Sequence, residues 1–204
     1  SWAALSTADK REMKEVVQLW KNAAAQGLVV AAYNLGIIYN FGQGVQQDYA
    51  EAFKWYCRAA EQGNAMAQVN LGTMYNFGQG VQQDYAEAFQ WYRRAAEQGD
   101  TNAQNTLGIL YTNGQGVQQN YAEAVKWFRR AAERGNVRAQ YNLGNKHRDG
   151  QGVQQDYAEA VKWLRRAAEQ GNAKAQFNLG AMFANRRGVQ QDYAEAVKWF
   201  RRAA

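Results

Sequence analysis

The amino-acid sequence predicts an all-α solenoid of 36-residue helix–turn–helix repeats. Three observations lead there. The dipeptide Leu-Gly recurs at 35–36, 71–72, 107–108, 143–144 and 179–180, a step of 36 each time. A tryptophan keeps the same step at Trp55, Trp91, Trp127, Trp163 and Trp199. The chain has no proline, so helices can run unbroken, and its 19 glycines are left to make the turns; a proline costs about 3 kcal/mol inside a helix. A fixed period in the range of about 20–50 residues marks a stack of small units, none of which buries its apolar face alone.

The elements follow in order. Residues 1–27 end in "KNAAAQG", which matches the closing "RRAAEQG" of later copies, and read as an N-terminal half-repeat whose single helix caps the first full repeat. Full repeats are read at 28–63, 64–99, 100–135 and 136–171, with a shorter one at 172–204. The first helix of a repeat begins near Asn64, Asp100, Asn136 or Asn172, whose side chains can accept orphan backbone N–H groups, and ends at a "GQG" turn such as Gly42–Gly44. The second opens with "DYAE", where Asp48 and Glu51 have the spacing of a capping box. Tyr49, Ala52, Phe53, Tyr56, Ala59 and Ala60 then fall on one helical stripe. In the first helix Ala67, Leu71 and Tyr75 align, and small residues at Gly72 and Ala52 allow a close helix approach.

Composition narrows the function. No apolar run approaches the roughly 18 residues of a membrane span. Cys57 is the only cysteine, so an intramolecular disulfide and a thiolate-rich metal site are excluded. Net charge is +6 and uneven: residues 1–100 carry 8 Lys/Arg against 10 Asp/Glu, whereas residues 101–204 carry 16 against 8. The second half therefore favours an anionic partner. Catalytic equipment is sparse. Serine occurs only at Ser1 and Ser6, His147 is the only histidine, and no phosphate-loop motif is present. No metal and no cofactor are expected.

The pattern "LGxMYxxGxGVxQDYxEAxxWYxxAAEQG" resembles the Sel1-like repeat, a relative of the tetratricopeptide repeat, over residues 28–204. The resemblance implies a right-handed superhelix with first helices on its concave side. It also implies a non-catalytic adaptor or scaffold that binds another protein. Many bacterial members are exported, which favours a periplasmic or secreted location, and Ser1 in place of methionine accords with a removed leader. A cysteine-rich branch is associated with β-lactam hydrolysis, but the paired cysteines and a Ser-x-x-Lys element are missing from this chain.

The copies differ mainly in the first helix, at slots three or four residues apart that share a face. In repeat order these are Val30, Met66, Asn102, Arg138 and Lys174; then Tyr33, Val69, Asn105, Tyr141 and Phe177; then Ile37, Thr73, Ile109, Asn145 and Ala181. Two more slots read Asn40, Asn76, Thr112, Arg148 and Ala184, then Phe41, Phe77, Asn113, Asp149 and Asn185. By the resemblance this face is the groove, apolar at one end and basic at the other. It would suit a peptide with an apolar end and an acidic segment. Drift at unselected exposed positions is the competing account.

Three departures stand out. His147 takes a slot that holds Tyr39, Tyr75 and Tyr111, and reads as a packed residue rather than a base. Arg186 replaces a turn glycine, Gly150 in the previous copy, and implies local strain or a basic lip. The chain stops at "RRAA" before the closing glycine, and a further repeat, a tail or a partner is expected to cover that end. The tandem arginines Arg93–Arg94, Arg129–Arg130, Arg165–Arg166 and Arg201–Arg202 raise nucleic-acid binding as an alternative. Spacings such as Arg129 to Glu133, Arg165 to Glu169 and Glu123 to Lys126 instead predict local helix pairs. No nucleic acid is expected as partner.

Overall fold

The computed structural model describes residues 6–204. Among them are eleven α-helices and no strand, forming an all-α solenoid of 36-residue repeats. Helix α1 (Thr7–Ala25) is followed by five pairs: α2 (Val29–Phe41) with α3 (Tyr49–Glu61), α4 (Ala65–Phe77) with α5 (Tyr85–Glu97), α6 (Thr101–Asn113) with α7 (Tyr121–Glu133), α8 (Val137–Asp149) with α9 (Tyr157–Glu169), and α10 (Ala173–Ala184) with α11 (Tyr193–Ala203). The segment read as a half-repeat, 1–27, holds the single helix α1, which packs on α2; its residues 1–5 lie outside the described residues. The chain divides into two compact units, Ser1–Asp100 and Thr101–Ala204.

Caps set the helix starts. Asn64, Asn136 and Asn172 accept from the backbone N–H groups of Ala67, Ala139 and Ala175 at 2.8–2.9 Å. Asp48, Asp156 and Asp192 do the same for Glu51, Glu159 and Glu195. The reciprocal half of the expected capping box is not made in these second helices. The Asp48 N–H donates instead to the Tyr39 carbonyl at 3.0 Å, and Asp156 N–H to the His147 carbonyl at 2.9 Å. The physical reason is local. The tight turn returns the N-cap against the end of the first helix, whose last carbonyls lack intrahelical partners. Glu51 and Glu159 are thereby released to accept from the indole N–H of Trp55 at 3.1 Å and of Trp163 at 2.8 Å. Helix α1 does close the box, between Ser6 and Asp9.

Each pair is held by an interlock at the Leu-Gly step. The leucines Leu35, Leu71, Leu107, Leu143 and Leu179 are fully buried. The glycine beside each receives a side chain from the second helix of its own repeat: Tyr56 on Gly36, Tyr92 on Gly72, Phe128 on Gly108, Leu164 on Gly144 and Phe200 on Gly180. A methyl group on Gly108 would stand 2.5 Å from the Phe128 ring, closer than carbon atoms approach.

Adjacent pairs within a unit are stitched by buried amides. Gln68, on α4, donates to the Ala60 carbonyl at the end of α3 and accepts from Gln98 just past α5, at 3.1 and 2.8 Å. In the second unit Gln140 does the same with Ala132 and Gln170, at 3.2 and 2.8 Å. Each side chain is only 4% exposed, so its bonds replace water that has been lost. The last turn glycine of a repeat also lies on the previous pair: Gly152, at φ +77°, packs on the Tyr121 carbonyl that opens α7, leaving no room for a side chain.

Two substitutions probe these devices. Gly108→Ala is expected to lower stability by about 1–3 kcal/mol through overpacking, read as a lower urea midpoint. Arg186 sits at φ +55°, where its neighbours in other copies are glycines. Arg186→Gly is expected to raise stability by about 0.5–1 kcal/mol, as relief of left-handed strain outweighs the added chain entropy.

Candidate docking faces on the first helices

On each first helix the residues at i and i+11 of one stripe are exposed, and the residue at i+7 between them is half-buried except on α6, where Ile109 is exposed. In the first unit this brings out Val30 and Phe41 on α2 and Met66 and Phe77 on α4, all 54–66% exposed, with Ile37 and Thr73 half-buried between them. The first unit therefore presents an apolar face. In the second unit Asn102, Ile109 and Asn113 on α6, Arg138 on α8, and Lys174 and Phe177 on α10 are exposed.

Other candidate positions lean inward. Tyr33 packs its ring 6.1 Å from Tyr56. The Thr73 hydroxyl bonds the Val69 carbonyl and the Tyr92 hydroxyl, each at 3.0 Å. Asn40, Val69, Asn76, Tyr141, Asn145 and Arg148 are half-buried. Arg148 forks onto Asp149 at 2.7 and 3.0 Å. Asn105 departs from the expectation of an open groove position: it is buried, and its carbonyl oxygen accepts from Asn142 Nδ2 at 2.9 Å. The reason is register, because an asparagine precedes Leu-Gly in most copies and reaches back to the preceding repeat. Asn178 likewise donates to Asn145 at 3.0 Å. The recurring "NLG" triplet was the available signal for this ladder.

In the second unit the predicted residues converge. Asn105, Ile109, Arg138, Tyr141 and Lys174 line one open depression of about 480 Å³ across α6, α8 and α10, together with Thr106, Asn142, Asn172 and Ala173. Arg138 and Lys174 bring two positive charges, and no carboxylate side chain lines the depression. Three planar amides add paired donors and acceptors.

The second helices are differently employed. Arg94, Arg130, Arg166 and Arg202 lie 4.4–4.8 Å above the rings of Trp91, Trp127, Trp163 and Trp199, a cation–π stack within each helix. Glu123, Glu159 and Glu195 pair with Lys126, Lys162 and Lys198 as the spacing predicted. The first arginine of each doublet is more varied. Arg93 pairs with Glu97 at 2.8 Å, but Arg129 turns to His147 and Arg165 lies over the Phe183 ring at 5.5 Å. Trp127, Trp163 and Trp199 are buried and Trp91 is half-buried, so none is a free platform for bases.

His147 is 5% exposed, with Arg129 Nη2 3.2 Å from its Nε2 and no partner at Nδ1. Burial and the Arg129 charge push its pKa down. Burial pushes the Cys57 thiol up to about 11, which leaves it a poor nucleophile at neutral pH. Among the described residues no group of three His, Cys, Asp or Glu could hold a metal ion. None of the described helices is long and apolar enough to cross a membrane.

Paired helices with a fixed interlock, and faces that vary from copy to copy, define a helical-repeat protein. The Sel1 repeat profile matches residues 29–64, 65–100, 101–136, 137–172 and 173–204, and the chain belongs to the Sel1 repeat family. Proteins of this family are generally protein-interaction scaffolds, and the fold is typically non-catalytic. No curated protein matches the sequence. Among solved structures, the chain is similar to a protective antigen of uropathogenic Escherichia coli with an SLR fold, at 41% identity and a TM-score of 0.88, over 90% of this chain and 39% of that one. It is similar to a Sel1 repeat protein of Oxalobacter formigenes at 36% identity and a TM-score of 0.86, over 97% of this chain and 84% of that one. It is also similar to cysteine-rich protein B of Helicobacter pylori at 25% identity and a TM-score of 0.50, over 64% of this chain and 93% of that one. This chain thus spans 39% of the length of the first of these relatives.

His147 makes stability depend on pH. Its folded pKa lies below the unfolded value, so the unfolded chain binds the proton more readily. That contribution is complete above the ordinary histidine pKa of about 6.5 and is lost as pH falls from there toward the folded value. Urea midpoints at pH 7.5 and 5.0 are expected to differ more for the wild type than for His147→Phe, which places the aromatic residue of the Phe183 slot there.

Proposed function

We propose that the chain is a non-catalytic adaptor that binds a protein or peptide on its first-helix faces. One observation carries the reading: the variable residues of three successive first helices line one open depression in the second unit, with Arg138 and Lys174 on it and no acidic side chain. The partner is a protein segment bearing carboxylates. The apolar face of the first unit, with Phe41 and Phe77 each 66% exposed, supplies a separate docking area for apolar side chains. Side chains that pack within a repeat recur, while those on these faces change, as expected when the scaffold is kept and the recognised surface is varied.

The test removes four exposed side chains, Phe41, Phe77, Arg138 and Lys174, by alanine substitution. Circular dichroism should show the wild-type helix content. Partners crosslinked to the wild type should be recovered about tenfold less or worse with the variant, since loss of interface anchors costs 2 kcal/mol or more. Equal recovery by a folded variant would exclude the first-helix faces.

A further inference from the structure

The proposed docking reading leaves one residue unexplained. The slot of Ile38, Met74, Leu110 and Met182 is an apolar one, and Met74, Leu110 and Met182 are 2–3% exposed. On α8 the same slot holds Lys146, which is 7% exposed. Burying an ammonium costs free energy unless its donors are matched. Lys146 Nζ donates to Gln151 Oε1 at 2.8 Å and lies 4.7 Å over the Tyr121 ring. An ammonium has three N–H donors, and of these one is matched by a hydrogen-bond acceptor, Gln151. The nearby carboxylate of Asp149 is taken by Arg148.

The amine is not sealed in the core. Lys146 lines an open hollow of about 270 Å³ whose other walls include Ile109, Phe128, Asn142, Asn145 and Gln151. Ile109 and Asn142 also line the larger depression that carries Arg138 and Lys174, so the two adjoin. Again no carboxylate side chain lines the hollow. A deep cation above an apolar floor of Ile109 and Phe128, beside the amides of Asn113, Asn142, Asn145 and Gln151, has the chemistry of a pocket for one acidic side chain.

We infer that this hollow is a specificity pocket for a single Asp or Glu side chain of the bound segment, held by Lys146. The proposal rests on the docking reading above and adds the residue that selects the ligand. The carboxylate accepts from an N–H of Lys146 that Gln151 leaves unmatched and from Asn142 or Asn145, while its methylene carbons cover Phe128. Arg138 and Lys174 then act on neighbouring acidic residues from the open depression, where solvent weakens them. The Lys146 contact is the stronger one because a side chain only 7% exposed is screened less than the exposed Arg138 and Lys174.

The decisive variant is Lys146→Met, which installs the residue of the Met74 and Met182 slots. A merely structural lysine and a ligand-binding one behave oppositely here: thermal stability should hold or rise, because a buried charge is replaced by an apolar side chain that the slot already accepts. The probe is a library of short random peptides selected on the immobilised wild-type chain, with the selected peptides then measured by fluorescence polarisation. Peptides enriched in Asp or Glu, which lose about 30-fold in affinity on Lys146→Met and a similar amount when that acid is changed to its amide, support the pocket. Peptides weakened by the Phe41, Phe77, Arg138, Lys174 alanine variant but unchanged by Lys146→Met overturn it and leave the docking faces standing. Binding that none of these variants alters, or the recovery of no peptide, overturns both.

Discussion

The structure depends on a missing methyl group. At each Leu-Gly step the glycine admits a ring or a leucine from the second helix into space that a Cβ would fill. A helix pair with that interlock is thin, since two chains cross with little between them, and so its two outer sides must be covered by neighbours. The period follows from this. The leucine goes to the interior, the glycine accepts the partner side chain, and the remaining turn of the first helix is left to face outward. Because the interlock uses residues inside one repeat, the geometry of each pair is specified locally, while its stability still depends on the neighbours that cover it.

Joining is done with polar atoms placed in dry positions. Gln68 and Gln140 each bridge the end of the preceding second helix and the end of their own repeat's second helix. The helix ends would otherwise present unmatched carbonyls inside the stack. A buried amide that is fully matched fixes register better than an apolar contact, which can slide. The turn glycines Gly80, Gly152 and Gly188 act with them by seating each turn on a backbone carbonyl of the pair before. Stability is accordingly distributed, and a local change such as the strained Arg186 turn can be carried without loss of the fold.

Much of this was legible because repetition multiplies weak signals. Helix starts at Asn64, Asn136 and Asn172 could be read from the cap residue alone, since capping is a contact between neighbours in sequence. The aromatic slots and the Glu–Lys pairs of the second helices were legible for the same reason. What escaped was the competition between a near and a far partner. Glu51 has the spacing to close a box on Asp48, yet the carbonyl of Tyr39 takes that N–H, and the glutamate serves Trp55. Asn105 has the register of an exposed slot, yet Asn142 reaches it from the next repeat. Slot comparison identified which residues vary; only the fold tells which of them face water. Lys146 escaped as well: slot comparison could have shown a charge among Ile38, Met74, Leu110 and Met182, but its meaning required the hollow beside it.

The distribution of charge ties the scaffold to its use. Net formal charge is −2 over residues 1–100 and +8 over residues 101–204, and the two compact units divide at that boundary. On the second helices the positive charges are largely spent on local work, stacked on indoles or paired with glutamates one turn away, where solvent leaves them worth a fraction of a kcal/mol. On the first helices Arg138 and Lys174 have no such neighbour, and Lys146 occupies a slot that is filled by buried methionine in two other copies, Met74 and Met182. A scaffold that uses an apolar residue at the other copies of a slot, and replaces it once with a buried cation, gives up stability at one place. The interlocks and glutamine bridges on either side keep the pair folded, so the cost stays within one repeat. A tolerant frame with an isolated local cost is what the proposed recognition surface requires, whereas drift alone gives no reason for a cation to stay at a buried apolar position.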